Sequence, residues 1–136
     1  TNGRVFTLPI SEIDYSEFPE DLPKICAYEA KWVTESPEYR LSKPLCPAPL
    51  NQDMEQQIKQ IATASYRLFR CRDYARVDLR VKPDGRIYVI EVNPNPDISP
   101  QSGMTRAIRA EGMTYADFIG HVLDRALQRK QCGHSG

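Results

Sequence analysis

A chain of 136 residues with 40% apolar and 26% charged side chains is long enough to bury a core and has the balance of an ordinary globular domain, which excludes a disordered tail. Eighteen Lys/Arg offset eighteen Asp/Glu with no long basic run, which argues against a nucleic-acid partner; no apolar run approaches ~18 residues and no signal peptide is visible, so no membrane partner and a cytoplasmic location are expected. Cys26, Cys46, Cys71 and Cys132 are widely spaced, with no C-x-x-C pair and no clustering with the two histidines, His121 and His134, so a zinc site and a catalytic triad find no support, and reduced structural cysteines are expected.

Along the chain, Arg4 to Ile10 reads as a short extended stretch and Ser11 to Lys24, acidic and broken by Pro19 and Pro23, as an irregular connection. Ile25 to Val33 returns to apolar and aromatic character around Lys31. Pro37, Pro44, Pro47 and Pro49 forbid a long helix and predict an ordered surface loop. Asn51 or Asp53 can cap a helix over Met54 to Arg70, whose face of Met54, Ile58, Ile61, Ala62, Ser65, Leu68 and Phe69 recurs at helical spacing. Ala75, Val77, Leu79 and Val81 then alternate with Arg76, Asp78, Arg80 and Lys82, and Arg86 to Val92 is rich in strand formers, predicting a β-hairpin with Asp84-Gly85 at its tip. Pro94, Pro96 and Pro100 make Asn93 to Gly103 a stiff loop. A short helix over Met104 to Ala110 follows, ended by Gly112. Thr114 with Asp117 opens a last helix to about Gln128, with Phe118, Val122, Leu123, Ala126 and Leu127 on its apolar face. Residues 131–136 read as a frayed tail. The fold class expected is α+β, a mainly antiparallel sheet with packed helices.

The hairpin carries the chemistry. A two-residue type I′ loop at Asp84-Gly85 pairs Pro83 with Arg86, and counting outward sets Asp78 opposite Glu91 and Arg76 opposite Asn93. A three-residue loop shifts the pairing by one and turns Glu91 to the other face. Two carboxylates with Cβ atoms ~5 Å apart repel unless a cation lies between them or one is protonated, and a metal is the simplest resolution. Hard cations such as Mg²⁺ take oxygen ligands from one or two carboxylates plus substrate phosphates, and Asn93 can add its amide oxygen. Arg76 is suited to hold phosphoryl oxygens and to stabilise charge growing in a transition state.

Arg76-Val77-Asp78, Asp84-Gly85, Glu91-Val92-Asn93 and the loop to Ser102 resemble the C-terminal, metal-binding half of the ATP-grasp fold, and most closely that of D-alanine-D-alanine ligases. Tyr28-Glu29-Ala30-Lys31-Trp32 upstream and Gly112-Met113-Thr114-Tyr115 downstream extend the likeness from about Leu8 to Leu127. The resemblance implies an ATP-dependent carboxylate-amine ligase working through an acyl phosphate. It implies two Mg²⁺ ions, with Mn²⁺ as a substitute, on Asp78, Glu91 and Asn93; phosphates on Lys31 and the catalytic Arg76; adenine against Ile25 and Ile90; and the carboxylate of a second amino acid at Ser102. Asp97 stands where the family loop has Gly, and Gly103 where it has a larger apolar residue, which bears on the choice of amino-acid substrate.

The chain has no glycine-rich phosphate loop and no initiator Met. It is therefore read over 1–136 as a C-terminal ATP-grasp subdomain that needs the N-terminal lobes of the same enzyme and is inactive alone; whether the parent is a homodimer is open. Two other readings stand beside this one: an ATP-grasp ligase for another amino acid or peptide, and a non-catalytic domain of degenerate ATP-grasp ancestry.

Overall fold

A computed structural model describes residues 5–25 and 35–132. In chain order these form β1 (Glu12–Asp14), α1 (Pro37–Leu41), β2 (Lys43–Leu45), α2 (Gln52–Leu68), β3 (Arg76–Val81), β4 (Ile87–Asn93), α3 (Gly103–Ala110) and α4 (Tyr115–Cys132). Two antiparallel two-stranded sheets result, β1 with β2 and β3 with β4. The α+β class expected from the sequence is the class observed.

The first sheet corrects two expectations. The acidic stretch contains a strand, with Ile13 opposite Pro44 and Asp14 opposite Lys43, and the proline run contains both α1 and β2. Pro44 is tolerated because a two-stranded sheet leaves each strand an outer edge that needs no ladder donor. Just after β1, Tyr15 meets the buried Phe18 edge-on with ring centroids 4.9 Å apart.

Helix α2 begins two residues earlier than its periodicity predicts, because Asn51 is the cap: its side-chain oxygen accepts the Met54 N–H at 2.8 Å. The buried Ile58 marks the face that packs on β3 and β4. The helix stops when Arg70 turns left-handed at φ 50°, with the Cys71 and Arg70 N–H groups closing on Tyr66 and Arg67 carbonyls at 3.0 Å. Leu68 and Phe69 had been expected on the buried face and are instead 79% and 64% exposed, since no described element covers the last turn. Helix α3 ends in the same motif with Gly112 at φ 85° in place of Arg70.

The core is centred on α3. Ile108 and Thr105 are fully buried, Ala107 nearly so, and Phe118 from α4 packs beside them, its ring edge-on to Tyr74 at 5.6 Å. Helix α4 opens on the predicted capping box. Asp117 accepts the Thr114 N–H at 3.0 Å, and Thr114 Oγ1 accepts the Asp117 N–H at 3.1 Å. The Thr114 hydroxyl also donates to Asp117 Oδ2 at 2.6 Å, and this bond, ahead of the one from the Thr114 N–H, holds the Asp117 carboxyl below the ordinary aspartate range. The helix runs to Cys132, through part of the segment expected to fray; the rest of that tail lies outside the described residues. Leu123 and Leu127 had been placed on the apolar face but are 58% and 59% exposed. Periodicity identifies a stripe, and it does not supply an element to cover it.

Candidate metal and phosphate site

The hairpin is closed by three residues, Pro83-Asp84-Gly85, with Lys82 and Arg86 as the last pair: the Lys82 N–H reaches Arg86 O and the Gly85 N–H reaches Lys82 O, both at 2.9 Å. This corrects the two-residue type I′ loop. A type I′ turn needs positive φ at two successive residues, and here Gly85, at φ 82°, has it while Asp84 does not. Asp84 instead accepts from the Arg86 side chain and, second, from the Arg86 backbone N–H, which lowers its carboxyl below the usual range.

From that turn the ladder runs Val81 with Ile87, Arg80 with Tyr88 and Leu79 with Val89, and then shifts by one residue between Asp78 and Leu79. Ile90 is the extra residue of a β-bulge. Beyond it Asp78 pairs with Glu91, Val77 with Val92 and Arg76 with Asn93. The carboxylates are therefore opposed on one face, as expected, although by a different route. Arg76, Asp78 and Arg80 share that face by strand alternation. The opposite face, with Val77, Leu79 and Ile87, is half-buried.

Arg76 forks onto Asp78, with Nε 2.7 Å from Oδ1 and Nη2 2.9 Å from Oδ2. Both groups keep more than a third of their side-chain surface exposed, so the pair is accessible to an incoming ligand. Glu91 is exposed. Asn93 is half-buried and its Oδ1 accepts the Asn95 N–H at 2.9 Å, which folds the chain back directly after the strand. The four side chains that the sequence brings together are thus adjacent in the fold.

No group of three or more His, Cys, Asp or Glu occurs among the described residues. The donor set at the hairpin is two opposed carboxylates and one carboxamide, all hard oxygens. Such a set suits Mg²⁺, which keeps much of its shell for water and substrate phosphate. The opposition of two carboxylates on an accessible face fits a cation between them.

The loop after Asn93 is fixed by its own side chains. Asp97 accepts the Ser99 N–H at 2.8 Å and the Ser99 hydroxyl at 3.0 Å, so its carboxylate is turned onto its own loop. Ser102 caps α3: its hydroxyl oxygen accepts the Thr105 N–H at 3.2 Å and lies 3.1 Å from Thr105 Oγ1, which in turn donates to Ser99 O at 2.7 Å. Only 8% of Ser102 is exposed. Thr105 is therefore the clamp between loop and helix. It was not singled out in the sequence, although a Ser three residues ahead of a Thr at a helix start is a capping spacing.

Ile25 and Ile90, expected against adenine, are 53% and 68% exposed, the condition of apolar residues that line an open surface. Lys31, with Tyr28 and Trp32, lies outside the described residues. An open surface depression runs along the polar side of α2, past Gln52, Glu55, Lys59 and Arg67, and includes none of the site residues.

Residues 1–124 match the sequence pattern of the family described as "D-ala D-ala ligase C-terminus". Among curated proteins, the D-alanine-D-alanine ligase of Cupriavidus necator is 34% identical over 99 residues, covering 73% of this chain and 29% of that protein. The uncharacterized protein y4sG of Sinorhizobium fredii is 32% identical over 128 residues, 94% of this chain and 36% of its own length. The crystal structure of a D-alanine-D-alanine ligase from Bacillus anthracis complexed with ATP superposes with a TM-score of 0.62 at 25% identity, over 68% of this chain and 32% of that one. The chain thus spans about a third of the length of the proteins it matches.

Proposed function

The chain belongs to the D-alanine-D-alanine ligase family through its C-terminal domain, and from that premise we propose that it is the metal- and phosphate-binding part of an ATP-dependent carboxylate-amine ligase. The observation that carries this reading is the opposed pair of Asp78 and Glu91 beside Asn93 and Arg76 on one accessible face. The reaction has two displacements: a substrate carboxylate oxygen attacks the γ-phosphorus of ATP and ADP leaves, then an amine attacks the acyl carbon and phosphate leaves.

Asp78, Glu91 and Asn93 would hold two Mg²⁺ ions, whose contribution when bound is to neutralise charge across the β- and γ-phosphoryl oxygens. Arg76 exchanges its bidentate contact with Asp78 for the phosphoryl oxygens as they arrive, keeping one fork saturated throughout. Ile25 and Ile90 offer apolar surface to the adenine, and Lys31 is assigned to the phosphates by family resemblance. Ser102 sits at the N-terminus of α3, where N–H groups favour a carboxylate. The rest of the active site belongs to the N-terminal lobes of the same enzyme, without which orientation, and with it turnover, is lost. No described helix is long and apolar enough to cross a membrane.

A second reading keeps the chemistry and changes the amino acid. Asp97 adds a carboxylate to the loop that leads to Ser102, which favours an acceptor other than D-alanine. Phosphate release by the full-length enzyme with ATP and Mg²⁺, scanned over single and paired D- and L-amino acids, tests both. Release that requires D-alanine supports the first reading and release with another acceptor alone supports the second. Absence of release with every acceptor leaves a non-catalytic domain.

A further inference from the structure

Toward its tip the ligand face of the hairpin carries two cations that the reaction above does not use, Lys82, whose Nζ lies 5.4 Å from the centre of the Tyr88 ring, and Arg80, which stands next to the carboxylate pair. Arg80 follows Asp78 by two residues on β3, so it shares the face of Arg76 and Asp78, and its ladder partner is Tyr88. It is exposed, and no carboxylate among the described residues forms an ion pair with it, whereas Arg76, Arg86 and Arg129 each have one. Its guanidinium carbon lies 6.0 Å from the centre of the Tyr15 ring, and that ring is braced in turn by Phe18. A guanidinium resting on an aromatic ring keeps all its N–H donors free at its edge.

The order of groups along the strand gives this cation a place. Arg76 lies at the end of β3 nearest the loop to Ser102, and Arg80 lies toward the hairpin tip, with Asp78 midway between them. Successive same-face residues are ~7 Å apart, so the two arginines flank the carboxylate pair at similar distances. The phosphoryl group being transferred must lie on the Arg76 side, close to the loop that leads to the amino-acid position. The nucleoside end of the same triphosphate then extends past Asp78 and Glu91 to the Arg80 side, where the exposed Ile90 of the bulge also lies.

We propose that Arg80 is a nucleotide-binding residue that grips the α-phosphoryl oxygens of ATP, held ready by Tyr15, while Arg76 serves the transferred γ-phosphoryl group. This rests on the ligase reading of the preceding section.

The test uses the full-length enzyme and its Arg80→Gln, Arg80→Lys and Arg76→Gln variants, with Mg·ATP kinetics and Mg·ADP affinity measured by calorimetry. ADP keeps the α-phosphoryl group and lacks the γ. Arg80→Gln is expected to raise KM for ATP and Kd for ADP by a common factor of about tenfold or more, from loss of a charge-assisted bidentate contact, with the loss falling on KM rather than on kcat. Arg80→Lys recovers part of it through charge alone. Arg76→Gln is expected to lower kcat and leave ADP affinity nearly unchanged. Unaltered KM and ADP affinity in Arg80→Gln would overturn the role of Arg80 and leave the ligase reading intact. A wild-type enzyme that binds neither nucleotide would overturn both.

Discussion

Ser102 has two roles assigned to it, and one substitution separates them. Replacing it with Ala removes the oxygen that accepts the Thr105 N–H at 3.2 Å and the hydroxyl that lies 3.1 Å from Thr105 Oγ1. Loss of a Ser N-cap costs about 1 kcal/mol. Loss of the second bond, around a Thr that is fully buried, adds about 1 kcal/mol, because Thr105 Oγ1 keeps its donation to Ser99 O but forfeits a donor to itself. The sum of about 2 kcal/mol corresponds to roughly a thirtyfold rise in local opening of the first turn of α3, since 1.4 kcal/mol is a factor of ten. Native-state amide hydrogen exchange reads this directly at Thr105 and Arg106, whose N–H groups go to Ser102. Ser102→Thr restores the cap and should restore protection. If Ser102→Ala left exchange at Thr105 unchanged, the capping account would be wrong and Ser102 would be free for substrate alone.

Glu91→Gln in the full-length enzyme should lower kcat by about a hundredfold or more with an unchanged melting temperature, since it preserves volume at an exposed position and removes a proposed metal ligand; wild-type turnover would sink the assignment. Arg70→Gly should stabilise the fold by about 0.5–1 kcal/mol: left-handed backbone costs a non-glycine residue about 1–2 kcal/mol, and added glycine freedom in the unfolded chain returns about 0.4–1 of that. Urea unfolding at constant m-value measures it, and a destabilised variant would refute the argument. Asp14, Asp84 and Asp117 all have folded-state pKa values depressed, foremost by hydrogen bonds from Ser16, Arg86 and Thr114 respectively. A depressed carboxyl contributes stability above its unfolded value that disappears as pH falls through the folded one, so stability should be level near neutrality and decline below about pH 4. Thr114→Val should flatten part of that decline, and an acid profile identical to wild type would exclude Thr114 as its source.

The parts of the fold that were legible in the sequence are those whose signals are local. Asn51, the pairing of Thr114 with Asp117, and Gly112 mark helix ends through bonds made within a few residues, and Ala75 to Val81 declares a strand by alternation. Strands β1 and β2 are three residues each, too short to alternate, and β2 contains Pro44, so pairing between distant segments formed them against local preference. Leu68, Phe69, Leu123 and Leu127 show the converse. They obey the helical period and remain exposed, because burial depends on a neighbour that periodicity cannot supply.

At the site itself, two departures from the expected hairpin cancel, and Asp78 still faces Glu91. A two-residue loop on an unbroken ladder was expected, and the molecule has a three-residue loop, which by itself would set Ile90 opposite Asp78 and turn Glu91 to the face of Val77 and Leu79. The bulge at Ile90 takes up that residue and returns Glu91 to the face of Asp78. Neither irregularity is visible in composition, since Ile90 is an ordinary strand residue and Asp84-Gly85 suits both loop lengths. What specifies the result is the polarity of the residues beyond the bulge. Without the shift, Glu91 would join Val77 and Leu79 on the half-buried face and Val92 would leave it, an exchange that desolvates a carboxylate and exposes an apolar side chain. The register that places two carboxylates face to face is therefore the one that keeps charge out of the hairpin's apolar side, and packing and site geometry select the same bulge.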